Sequence, residues 1–356
     1  MRVCILGIGL SSLALTKALV NEKIYVDVFY SKKFHKINRS RTIGISKKNI
    51  NFFNNHIINI NKFAWKLNKI DIFSDNLKSE KLLNFQDDND QLFSIIKNYQ
   101  LHEILEKSLK ENKFLKKFIF KENLNLFNKY DIVISTDHFN SITKKYFSKK
   151  IIKKYNSYAY TCIIDHQNIL NNVATQVFTK KGPIAFLPVS NKQTSVVYSI
   201  KNYKKKEDQI ISDLIYHYNS KYKITKVGNI ESFELKSLNL RSYYHNKFLA
   251  FGDLLHRIHP LAGQGFNMTL RDIKIILKII KKRRDLGLPL DYSVNEEFEK
   301  TIRHKNFIFS SSIDLIYEFF NLESKLQSNL LSKSIQLIGK NQGLNKFLKN
   351  IADQGF

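Results

Sequence analysis

The chain has 356 residues, 43% of them hydrophobic, with 58 basic against 31 acidic side chains and a net charge of +27. That length supports a sizeable core and more than one domain, and the hydrophobic content excludes a disordered chain. The charge points toward a polyanionic surface, but the lysines are scattered (Lys32-Lys33, Lys116-Lys117, Lys149-Lys150) in a chain rich in Asn, Ile, Phe and Tyr. A compositional bias accounts for much of that excess. An anionic membrane surface is the expected partner, and nucleic acid is not. Cys4 and Cys162 each sit in an apolar run and read as buried hydrophobes in a reducing compartment. No Cys/His cluster has zinc spacing, so no metal is expected. No apolar run reaches the roughly 18 residues of a membrane span. Arg2 and the apolar run behind it imitate a signal peptide, but Gly7-Ile8-Gly9 interrupts that run as a strand-to-helix turn would. The expected location is the cytoplasm, with peripheral contact to the inner membrane.

In chain order, Val3 to Leu6 reads as a buried parallel strand, followed by Gly7, Gly9 and Ser12 and a helix from Leu13 to Val20. This is a dinucleotide-binding layout, with Ser12 where a third glycine is usual and the helix N-terminus placed to take a pyrophosphate. A second strand, Tyr25 to Tyr30, ends on Tyr30 where an acidic residue normally takes the adenosine ribose. Ser46 reads as an N-cap for a helix beginning near Lys47. Short β-like pieces, Ile70 to Phe73 and Leu82 to Phe85, mark an excursion into a second domain, and Tyr99 to Leu115 reads as a helix. Ile132 to Ile134 is a short buried strand that ends at Asp137. Four strands follow, Tyr158 to Ile164, Val173 to Phe178, Ala185 to Pro188 and Ser195 to Ser199, then an amphipathic helix from Lys205 to Tyr222. Phe233 to Leu240 is expected to return the chain to its first domain. Asp314 to Phe320 and Leu326 to Leu348 read as terminal helices.

The chain is organised around FGDLLHRIHPLAGQGFNMTLRD, Phe251 to Asp272. An apolar strand leads into Gly252-Asp253, a glycine-bearing loop follows, and Ile273, Ile276, Leu277 and Ile280 then mark one face of a helix. Glycine lets backbone approach a ligand closely, the helix start offers unpaired N–H groups and partial positive charge, and an Asp in the turn can accept from sugar-like hydroxyls. The combination suits a ligand with a polyol and a part that becomes anionic.

This stretch closely resembles the second flavin motif of the aromatic-ring hydroxylases, and within them the ubiquinone-biosynthesis hydroxylases that act on polyprenylated phenols. RTIGIS, with Arg41 and Ser46, resembles the family segment after the second strand. Asp131, Asp137 and Ser141 resemble its DxxxxxDGxxS motif, with His138 in place of Gly, and FTKKGPIAFLPVS resembles its FxxxGPxAxLPL stretch. The resemblance implies an α/β fold, with a Rossmann-like FAD-binding domain of the aromatic hydroxylase type, an inserted β-sheet substrate domain and C-terminal helices. The expected division is 1–65, 98–148 and 238–290 for FAD, 66–97 and 149–237 for substrate, and 291–356 for the helical end. The implied FAD contacts are Gly7, Gly9, Ser12, Arg41, Asp137, Gly252, Asp253 on the ribitol, and Pro260, Ala262, Gly263, Gln264, Gly265, Phe266 and Asn267 along the isoalloxazine. Arg41 also reads as a surface base and Asp137 as an ordinary acidic turn.

The implied reaction uses NAD(P)H, FAD and dioxygen, through a flavin hydroperoxide, to hydroxylate a polyprenylated phenol, with other quinone-biosynthesis proteins as partners. No general base is marked; His256 and His259 are as readily loop braces. A non-catalytic assembly subunit of the same fold is one alternative, favoured by the departures at Tyr30, at Tyr99 (usually Arg) and at His138; a reductase of the same fold is another, and the GPxAxLP stretch argues against it. Leu254, Leu255 and Thr269 are bulkier than the family's usual residues.

Overall fold

A computed structural model describes residues 1–31, 38–77, 80–86, 91–120, 124–201, 208–259, 264–326, 332, 333 and 336. The N-terminal run forms β1 (Arg2–Leu6), α1 (Leu10–Asn21) and β2 (Tyr25–Tyr30). β1 pairs in parallel with β2 on one side and with Ile132–Ser135 on the other. The six-stranded sheet runs Tyr244–His245, Phe248–Ala250, Ile132–Ser135, β1, β2, Leu115–Ile119. Strand order reverses at β1, and in open α/β sheets the crevice at that switch point takes the ligand. From Val3 to Leu6, β1 is apolar throughout because both faces of the sheet are covered. Val3 and Ile5 pack with α1 and the late helix Gly265–Asp285, while Cys4 and Leu6 pack with Phe127, Tyr130 and Ile142.

The second sheet has nine strands and is largely antiparallel. It runs His256–Arg257, Glu231–Leu240, Lys150–His166, Gln193–Lys201, Gly182–Pro188, Val173–Thr179, Lys69–Ser74, Lys81–Gln86, with Ile224–Val227 pairing on Lys150–His166. The four strands expected between Tyr158 and Ser199 and the two short earlier pieces all lie in it. One face is closed by the helix Asp208–Tyr218, whose Ile211 and Ile215 meet Tyr160, Cys162 and Tyr198. The other face meets the long helix Tyr292–Leu326, where Tyr317 packs with Tyr155, Ala159, Phe178 and Leu235. A three-stranded sheet of β3 (Thr42–Ser46), Phe93–Lys97 and Trp65–Leu67 lies beside α2 (Lys47–His56).

Three expectations change. The helix expected over Tyr99 to Leu115 ends at Ser108, and Leu115 opens a strand parallel to β2. Leu101, Ile104, Leu105 and Leu109 keep helical spacing, but Glu111 takes a positive φ of 57° and breaks the run. Phe233 to Leu240 does not return to the first sheet: Glu231–Leu240 pairs along Lys150–Thr161, and the chain rejoins the first sheet only at Tyr244. Asp314 to Phe320 is part of one 35-residue helix. The helix expected over 326–348 lies outside the described residues except for 326, 332, 333 and 336.

Candidate nucleotide-binding site

Three strand ends meet at the switch point. Gly7, at the end of β1, has φ +119°, and a Cβ there would stand 2.6 Å from the Thr136 hydroxyl. Ser12 Oγ lies 2.5 Å from Thr136 Oγ1, which also donates to the Leu6 carbonyl at 3.2 Å. Ser12 is fully buried. Its hydroxyl therefore laces the first turn of α1 to the end of the neighbouring strand, where a glycine would only have allowed close approach. The third strand end brings Gly252 in at φ +64°; a Cβ on it would lie 2.7 Å from Ser11 Cβ. The Gly252-Asp253 turn is thus pressed against the first turn of α1.

Two other glycines face the opposite situation. A Cβ on Gly9, the N-cap of α1, or on Gly265, the first residue of the late helix, would meet no atom of the described residues within 4 Å. Neither helix carries an acidic residue in its first turn. Their N–H groups and positive ends are thus uncrowded by the described residues, as an anion-binding cradle requires.

Charged groups ring this cradle. Asp253 is exposed in the turn Gly252–Leu254. Arg41 stacks over the Phe233 ring at 4.8 Å. Burial pushes its pKa down, while the nearby Asp253 carboxylate pulls it back up; a guanidinium stays charged under such a shift. Asp137 Oδ1 accepts from the Phe139 amide at 2.8 Å, and its carbonyl accepts from Thr143 Oγ1 at 2.7 Å. Asn140, rather than Ser141, caps the helix Ser141–Tyr146 by accepting from the Ile142 amide. His138 adopts no positive φ, so that turn does not need a glycine. Its Nε2 accepts from Arg257 Nη2 at 2.9 Å, joining the Asp137 loop to the Asp253 loop. Burial first, then Arg257, lowers the His138 pKa, which keeps the ring a neutral acceptor. Where Tyr99 stands in place of the expected arginine, the Arg39 guanidinium lies 5.7 Å from its ring centroid. A cation reaches that side from another stretch.

The late helix is fixed by polar clips. Asn267 Nδ2 donates to the Gly44 carbonyl at 2.9 Å, and its Oδ1 accepts from the Ser46 amide at 3.0 Å and from Asn49 at 2.9 Å. The Asn267 side chain, expected along the cofactor ring, is thus engaged with β3 and α2. Asn267→Ala should lower stability by about 2–3 kcal/mol, since it strands a buried N–H and a buried C=O; urea unfolding of the ligand-free chain measures this. Gln264 is buried at the helix N-cap, and Phe266 packs 6.4 Å from Phe53. Pro260, Ala262 and Gly263 lie outside the described residues.

His256 Nε2 pairs with Asp272 Oδ2 at 2.8 Å, and both groups are fully enclosed. His259 is 1% exposed, and burial depresses its pKa to about 3 from an ordinary 6.5. Protons then favour the unfolded chain between these values. The resulting stability is fully present above pH 6.5 and is lost as pH falls toward 3. Relative to wild type, His259→Phe should remove a pH dependence on the order of a few kcal/mol over that window, read from urea midpoints. Sequence reasoning missed the His138–Arg257 contact, and only the paired polar types on two motif loops could have hinted at it.

The fold is that of the FAD-dependent aromatic-ring hydroxylases. It matches p-nitrophenol 4-monooxygenase from Pseudomonas putida with a TM-score of 0.76, at 12% identity over 99% of this chain and 98% of that one. It also matches Klebsiella pneumoniae HpxO complexed with FAD and uric acid at 0.76, with 11% identity over 99% and 96%. No family model matches the sequence. Among curated proteins, the chain is 29% identical over 153 residues to 3-demethoxyubiquinol 3-hydroxylase of Escherichia coli, covering 41% of this chain and 39% of that protein. It is 26% identical over 192 residues to the Xenopus tropicalis ubiquinone biosynthesis monooxygenase COQ6, covering 42% and 41%. The matched part is thus less than half the length of these relatives. The resemblance to ubiquinone-biosynthesis hydroxylases read from the motifs is borne out.

Proposed function

We propose that the chain binds FAD at the switch point and hydroxylates the aromatic ring of a polyprenylated phenol in ubiquinone biosynthesis, with NAD(P)H as reductant and dioxygen as oxidant. The observation that carries this reading is the approach of Gly252 to Ser11 in the first turn of α1, beside Gly9 and Gly265, where an added Cβ would meet no described atom within 4 Å. The α1 N-terminus takes the pyrophosphate, and Asp253 accepts from ribityl hydroxyls. The positive end of the helix Gly265–Asp285 would favour negative charge on the ring of a bound FAD. When bound, FAD supplies the two-electron chemistry that links reduced nicotinamide to dioxygen. Arg41 and Arg257 hold the Asp253 and Asp137 loops in register with that ligand. The six-stranded half serves the cofactor. The nine-stranded half roofs the substrate and keeps water from the reacting ring.

Among the described residues no helix is long and apolar enough to cross a membrane. The excess of basic residues supports peripheral docking on an anionic bilayer, where a polyprenylated substrate resides, and contact there with other quinone-biosynthesis proteins. Asp253→Ala should lose bound FAD and activity together, with affinity falling by roughly a hundredfold as charge-assisted hydrogen bonds disappear. The direct test is oxygen consumption by the FAD-loaded chain. Stimulation by a prenylated phenol, with hydroxylated product found by mass spectrometry, supports the reading. Reduction of the prenyl chain without oxygen uptake would replace it with a reductase.

A further inference from the structure

His259 is the one described residue with two buried side-chain polar atoms that both lack a hydrogen-bond partner. Its ring is not short of neighbours. Tyr317 stacks on it at 4.3 Å and 29°, and Tyr155 meets it edge-on at 5.1 Å and 84°. The hydroxyls of those tyrosines are used elsewhere: Tyr155 donates to the Asp314 carboxylate, and Tyr317 pairs with Ser157 Oγ at 2.9 Å. Ser237 Oγ also donates to Asp314, at 3.3 Å. Every polar group of this cluster is therefore satisfied except the imidazole. A buried donor or acceptor left unmade costs about 1–3 kcal/mol, and a phenyl ring of similar shape would avoid that cost. An enclosed polar group kept at such a cost is a pointer to a partner that arrives later.

The position defines the partner. His259 stands immediately before the segment 260–267 along which the cofactor ring is proposed to lie. Its ring packs against Tyr155 of the nine-stranded sheet and Tyr317 of the long helix, while His256, three residues earlier, pairs with Asn239 of that sheet and with Asp272 of the late helix. It thus occupies the junction between cofactor floor and substrate roof. Burial keeps the ring neutral, with one N–H and one lone pair, and the Asp314 carboxylate bound to Tyr155 already gives the cluster an anion. The group it suits is an uncharged hydroxyl on an aromatic ring that can pack beside the two tyrosines.

We propose that His259 is a specificity-determining residue that hydrogen-bonds the phenolic hydroxyl of the substrate and so sets the orientation of the ring. Tyr317, which covers the imidazole, is the wall that gives way. This rests on the phenol reading above.

The test is calorimetric titration of the FAD-loaded full chain with a farnesylated phenol and with its O-methyl ether, alongside melting of the ligand-free proteins. Wild type should bind the phenol about tenfold or more tighter than the ether, the usual discrimination of a site that leaves a buried group unpaired when the hydroxyl is missing. His259→Gln should keep that preference. His259→Phe should erase it while leaving ether affinity unchanged, and ligand-free His259→Phe should melt no lower than wild type. The proposal is overturned if His259→Phe keeps the preference, or if it weakens both ligands equally and melts lower, as a structural brace would. If FAD-loaded wild type binds neither compound, the functional reading fails and this proposal with it.

Discussion

Gly252→Val should be among the most damaging single changes in the chain. Gly252 sits at φ +64°, where an L side chain is strained, and even its Cβ would lie 2.7 Å from Ser11 Cβ. That neighbour is attached directly to the backbone of α1, so it cannot rotate away. The helix start must shift, and with it the contact between the Gly252-Asp253 turn and α1. We expect a loss of roughly 3 kcal/mol or more, from strain and overpacking together, together with loss of FAD retention. Urea unfolding measures the first effect and the flavin spectrum of the purified protein the second. Ser11→Gly in the same chain should recover part of the stability, since it removes the clash and leaves the strained φ.

Gly9→Val should do the reverse. Its backbone is extended, at φ −68° and ψ 174°, and accepts a β-branched residue. A Cβ there meets nothing within 4 Å. The ligand-free chain should therefore unfold within about 0.5 kcal/mol of wild type. FAD affinity should nevertheless fall by roughly a hundredfold or more, because the added isopropyl group fills the space beside the helix N-terminus where a pyrophosphate would rest. Fluorescence titration with FAD reads this. Undiminished affinity in Gly9→Val would place the nucleotide elsewhere.

These two glycines show what was legible in the chain. The strand, turn and helix from Arg2 to Asn21 could be read locally, because a strand buried on both faces writes a continuous apolar run and the turn writes its glycines. What could not be read was pairing at long range. The alternation of Phe233, Leu235 and Ser237 marks a strand but not its sheet, and its partner lies some eighty residues earlier in the chain, at Lys150–Thr161. Leu115 continues an apolar pattern across a break that only the positive φ of Glu111 makes. At the site, the motif shows that Asn267 matters, yet its partners Gly44, Ser46 and Asn49 lie over two hundred residues away. His138 in place of glycine reads as a defect until Arg257 is seen to bind it. The unpartnered state of His259 depends on where the hydroxyls of Tyr155 and Tyr317 go, which no local pattern records.

The most direct measurement is the visible absorbance spectrum of the purified chain after incubation with excess FAD and desalting. One equivalent of bound flavin per chain, absent from the Gly9→Val variant, is the predicted result. A colourless wild-type protein would contradict the account at its root.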